Sequence, residues 1–107
     1  MRKTYEYAVG IEKAIERLVE LPGNYDNFHI NHAILPKGEG LPVHNANAVV
    51  HLIVVKGVMT AVFDDGEAED YGAGQIVKVD CGTKMEIGNQ DEAVLEFFIV
   101  KIFETES

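Results

Sequence analysis

The sequence predicts an all-β, single-domain fold, a sandwich or barrel, and three observations carry that prediction. Short apolar blocks recur along the chain, and nearly every one is followed by a turn signal rich in Gly, Pro, Asp or Asn. Some blocks alternate with the period of two that a strand requires. The chain has 107 residues, the size of one domain, and short strands at regular spacing close into a sandwich or barrel.

Residues 11–20 come first, and two readings stay open there. Ile11, Ala14, Ile15, Leu18 and Val19 have helical spacing, and Leu21-Pro22-Gly23 would end such a helix. A small barrel also often opens with a strand packed on a partner, so a strand is the alternative. Residues 28–35 form the first clear strand and end at Pro36-Lys37-Gly38. Phe28, Ile30, His32 and Ile34 alternate with His29, Asn31, Ala33 and Leu35; the first set is more apolar and is expected to face the interior. His29, on the parity of Asn31, is expected at the surface.

Residues 49–55 end at Lys56-Gly57. Residues 58–63 end at Asp64-Asp65-Gly66, a hairpin signal because glycine tolerates positive φ. A short polar strand over 67–71 precedes Gly72-Ala73-Gly74. Residues 75–79 run into Asp80-Cys81-Gly82, residues 85–87 into Gly88-Asn89, and residues 93–103 form the longest apolar block. The expected organisation is an N-terminal arm over 1–27, a barrel over 28–103 and a frayed tail over 104–107.

Composition narrows the partners. With 18 acidic and 9 basic residues the net charge is -9, which repels phosphate backbones, so no nucleic-acid partner is expected. No apolar run approaches the ~20 residues of a membrane-spanning helix, and no membrane partner is expected. Cys81 is the sole cysteine, which excludes an internal disulfide. The first residues lack the apolar stretch of a secretion signal, and the expected location is cytoplasmic.

Two glycine-punctuated segments carry a resemblance. Gly38, His44, Ala46, Val50 and Gly57 fall on the marked positions of the first cupin motif, which has a glycine, two histidines, a glutamate and a closing glycine. Gly74, Asp80, Gly82, Met85 and Asn89 fall on those of the second, which has a glycine, a proline, a glycine, a histidine and an asparagine. The chain therefore resembles the cupin superfamily, closest to its small archaeal and bacterial single-domain members. The resemblance implies a jelly-roll barrel, or double-stranded β-helix, of two facing antiparallel sheets, often dimeric; a homodimer is expected, because an open edge strand near the N-terminus needs covering. It also implies a metal seat of three histidines and one glutamate. Of these only His44 is present; Ala46, Val50 and Met85 replace the rest.

The leading functional expectation is small-molecule binding at the barrel mouth, in a pocket lined by His32, His44, Val50, Met59 and Met85. The alternative is a metal-dependent enzyme of the dioxygenase or isomerase type. Its divalent Zn, Fe, Ni or Cu would sit on a relocated set of His32, His44 and His51, and the direction of His51 stays open. A third possibility is a purely structural role. Catalytic residues are not identified. Cys81 lacks a visible base, and Asp64-Asp65 with Glu67, Glu69 and Asp70 reads as a solvated turn.

Overall fold

The computed structural model describes residues 14–19 and 27–103. Among them the chain forms nine strands: β1 (Ala14–Val19), β2 (Phe28–Leu35), β3 (His44–Asn45), β4 (Val49–Lys56), β5 (Val58–Phe63), β6 (Glu69–Gly72), β7 (Ile76–Val79), β8 (Lys84–Gly88) and β9 (Leu95–Ile102). A five-stranded sheet runs in the order β1-β2-β9-β4-β7, and a four-stranded sheet in the order β3-β8-β5-β6. All pairings are antiparallel. The fold class is therefore all-β. The question left open over residues 11–20 is settled as a strand for 14–19, where β1 pairs with β2; Ile11 and the tail over 104–107 lie outside the described residues. No described helix is long and apolar enough to cross a membrane.

One core lies between the sheets. From the five-stranded sheet it takes Ala33 and Leu35 of β2, Val50, Leu52 and Val54 of β4, and Leu95, Phe97 and Ile99 of β9. From the other it takes Met59, Ala61, Met85 and Ile87. These residues alternate along their strands, as the pleat demands.

This parity corrects the expectation for β2. The interior set is the one containing Asn31, Ala33 and Leu35, and the apolar set of Ile30, His32 and Ile34 points out of the barrel. The reason is that both faces of the sheet carry apolar residues. On the outer face Ile30 pairs with Val100 and His32 with Phe98, while Ile53 pairs with Phe98 on one side and Ile76 on the other. His32 is only 1% exposed although it faces away from the core. The hairpin expectation changes too. Positive φ falls on Asp64 and Asp65, at 52° and 58°, and not on Gly66. Aspartate tolerates this region because its short side chain bonds nearby backbone, and here Asp64 Oδ1 accepts the Lys84 N–H at 2.9 Å.

The register sorts the connections into two ends. The closed end carries the links β2–β3, β4–β5, β6–β7 and β8–β9. Asn89, 1% exposed, ties it together: Nδ2 donates to the carbonyls of Leu35 and Ala93 at 2.8 Å each, and Oδ1 accepts the Asp91 N–H at 2.9 Å. The open end carries the links β3–β4, β5–β6 and β7–β8 and the C-terminus of β9. The turn over 80–83, with Gly82 at φ 93°, is pinned there to Ala46. The Ala46 carbonyl accepts the Gly82 N–H at 2.7 Å, and the Ala46 N–H donates to Thr83 at 2.8 Å.

Candidate functional site

The family's customary metal seat lies at the open end, and its four positions can be read one by one. His44 pairs with Met85 across β3 and β8, which puts their Cβ atoms on one face of the sheet. The His44 side chain is nevertheless exposed, and its Nδ1–H donates to the Pro42 carbonyl at 2.9 Å. Ala46, Val50 and Met85 are buried in the core together with Met59. Val50 is 0% exposed. An alanine, a valine and a thioether packed in hydrocarbon supply no oxygen or nitrogen donor, so these residues do not fit the family's metal.

The relocated three-histidine set is not assembled either. His44 belongs to the four-stranded sheet. His51 has the parity of Val49 and Ile53, opposite to buried Val50, and so faces out of the barrel between Lys78 and Val100. His32 also faces out, with its Nε2–H donating to Glu96 Oε2 at 2.8 Å and its ring 5.0 Å from that of Phe98. Among the described residues no three His, Cys, Asp or Glu side chains gather as metal donors. Of the five residues expected to line one pocket, Val50, Met59 and Met85 meet in the core, His44 stands at its rim and His32 lies across the sheet.

Among the described residues, recesses open at two places on the surface that bear on the seat. One, of about 280 Å³, lies between β5 and β6 of one sheet and β7 of the other, bounded by Phe63, Tyr71, Val77, Val79, Asp80 and Thr83. It adjoins the seat, because Val79 pairs with Val50 and Phe63 with Met85. The Tyr71 hydroxyl donates to Glu69 Oε2 at 2.8 Å, and that bond, then burial and the carboxylate's charge, raise the phenol above its ordinary pKa. The second recess, of about 290 Å³, lies on the outside of the four-stranded sheet, over Thr60, Val62, Glu86 and Gly88 under the segment 37–43.

The interior parity of β2 and β9 also places His29 and Asn31, expected at the surface, on the inner face together with Lys101. His29 pairs directly with Lys101, and Lys101 pairs in turn with Val50. Asn31 follows His29 on the same face, opposite Ile99. The signal for them in the sequence is the alternation of β2, which groups His29 with Asn31 but does not say which side of the sheet is covered.

The fold is shared with known proteins. An uncharacterized protein of Methanocaldococcus jannaschii is 42% identical over 102 residues, 94% of this chain and 84% of its own length. The crystal structure of that same protein, described as an RmlC-like cupin family protein with a double-stranded β-helix fold, superposes with a TM-score of 0.86 at 41% identity, covering 95% of this chain and 91% of that one. A protein of Thermotoga maritima described as a predicted oxalate decarboxylase shares the fold at 18% identity and a TM-score of 0.74, with 84% of this chain and 79% of that one covered. No protein-family model matches. The archaeal relative, the two-sheet topology and the register of both motifs lead to one conclusion: this chain belongs to the RmlC-like cupin family.

Proposed function

We propose that the protein binds a small organic molecule at the open end of its barrel, in the recess of Phe63, Tyr71, Val77 and Val79. One observation supports this reading above the rest. The recess abuts the positions where cupins hold metal, and in this chain those positions are filled by the apolar side chains of Val50 and Met85. Its walls are aromatic and aliphatic, with Thr83 and Asp80 as polar groups at the rim, the composition of a small-molecule site. Phe63 forms one wall and Tyr71 offers a hydroxyl. A thermal-shift screen of small aromatic and aliphatic acids and alcohols tests it. A true ligand at 100 times its dissociation constant raises stability by about 2.7 kcal/mol, and Phe63→Ala removes the shift. Shifts unchanged by both Phe63→Ala and Tyr71→Phe would refute it.

A homodimer is part of the same proposal. The outer face of the five-stranded sheet carries half-buried Val49, Ile53 and Val100 beside Ile76, which is 63% exposed, and exposed Ile102. A contiguous apolar face of this kind suits a second copy. Light scattering is expected to report a dimer that Ile76→Lys converts to monomer; a monomeric wild type rejects it.

A further inference from the structure

We infer a second binding site, for a small carboxylate that also carries a hydroxyl, on the interior corner formed by His29, Asn31 and Lys101. The inference is independent of the recess described above. Residues directly opposite in an antiparallel pair share a face, with Cβ atoms about 5 Å apart, and diagonal neighbours lie about 7 Å apart. His29 and Lys101 are such an opposite pair, and Asn31 is diagonal to Lys101. The three polar side chains therefore converge on a patch the size of a small organic anion. The row that begins with them continues as Val50 and Val79, so Lys101 lies two strands, about 10 Å, and His29 three strands, about 14 Å, from the Val79 wall of the recess.

The chemistry of the ligand follows from what these groups lack. Asn31 is 8% exposed, and its Oδ1 is buried without a hydrogen-bond partner. Such an acceptor is costly to bury alone and asks for a donor. Lys101 is half-buried and forms no ion pair among the described residues, whereas Lys37, Lys78 and Lys84 pair with Glu92, Asp80 and Asp65. In a chain of net charge -9, an ammonium left without a carboxylate on an inward-facing position calls for an anion from outside. The imidazole of His29 meets the ring of Phe103 edge-on, 4.9 Å between centroids at 70°, which fixes its plane beside the ammonium. A carboxylate would accept from Lys101 Nζ and a His29 N–H, while a hydroxyl on the same molecule would donate to Asn31 Oδ1.

Malate and succinate differ by that hydroxyl and serve as probes for calorimetric titration of the full chain. Malate is expected to bind about tenfold more tightly than succinate, the worth of one well-placed hydrogen bond. Asn31→Leu is expected to bring malate to the affinity of succinate, and Lys101→Met to weaken both about tenfold or more. The side-chain amide resonances of Asn31 should move with malate and stay fixed with succinate, a readout that needs no variant to fold. Tyr71→Phe should leave malate binding unchanged, which separates this site from the recess. Absence of malate binding, equal affinities for the two acids, or malate affinity unaffected by Asn31→Leu would each overturn the inference.

Discussion

The two ends of the barrel treat buried polar groups in opposite ways. At the closed end the Asn89 side chain satisfies two carbonyls and one amide, one from the end of β2 and two from its own β8–β9 connection. Backbone bonds from Gly38 to the Asn89 carbonyl and from Asn89 to the Glu39 carbonyl, 2.8 and 3.0 Å, finish the closure. At the open end the Asn31 carbonyl is buried with no partner and Lys101 has no counter-ion among the described residues. An asparagine is structural at one end and available at the other. Residue type does not decide which role it takes; the count of partners left over does.

Breaking the closed end should produce the largest effect. Asn89→Ala leaves two carbonyls and one amide without their bonds, and each lost buried partner costs on the order of 1 kcal/mol or more. Urea unfolding is expected to show a loss of about 3 kcal/mol. A loss near zero would mean that water replaces the side chain and that the closed end is no better sealed than the open one.

Gly57 tests the same end through sterics. Its φ is 82°, and an added Cβ would lie 2.5 Å from the Val94 carbonyl oxygen. That oxygen belongs to backbone and cannot rotate away as a side chain would. Gly57→Ala is expected to cost about 2 kcal/mol by the same measurement. Ala at Gly82 makes the control at the open end: its φ is similar, but nothing lies within 4 Å of the added Cβ, so its cost should be smaller.

At the open end the sign should reverse. Asn31→Leu removes the unpartnered Oδ1 and replaces it with hydrocarbon on a face shared with Ala33 and Leu35. The ligand-free protein is expected to gain about 1 kcal/mol. A polar group that weakens the empty protein is the pattern expected where stability is given up for binding. A loss of stability instead would assign Asn31 to the same structural class as Asn89.

Much of this contrast was open to sequence reading, and the part that was not has a physical cause. Gly38, Gly57, Gly74 and Gly82 all adopt positive φ, a demand that glycine announces by itself. Asn89 falls on a marked position of the second motif. The strand blocks were legible except β3, whose two residues are too short to show a period. The facing of β2 was misread because periodicity reveals which residues share a face, but not which face is covered. Ile30 and Ile34 outweigh Ala33 and Leu35 in hydrophobicity, yet the larger residues pack outward onto a sheet whose outer side is also apolar. That one inversion moved His32 out of the barrel and hid the pair of His29 and Asn31. The direction of His51 was undecidable for a related reason, since Val50 and His51 are neighbours and only the register with β7 and β9 separates them.

Tyr71 supplies the smallest effect, and it separates partnering from burial as the source of the contrast. Its hydroxyl is partnered, as Asn89 is, but the bond to Glu69 is open to solvent. The Glu69 carboxylate, first through the hydrogen bond and then with burial, favours the neutral phenol and raises its pKa above the ordinary 10.0. Because the folded value exceeds that of the unfolded chain, the contribution to stability is whole below about 10 and is lost as the pH climbs through the raised value. Subtracting the ultraviolet titration of Tyr71→Phe from that of the wild type isolates this phenol. Its midpoint should lie above the ordinary tyrosine value and fall in Glu69→Gln, while urea unfolding at neutral pH barely changes between wild type and Glu69→Gln. If Glu69→Gln instead destabilised the protein as much as Asn89→Ala, a partnered polar group would matter equally wherever it sits, and the difference between the two ends could not rest on burial.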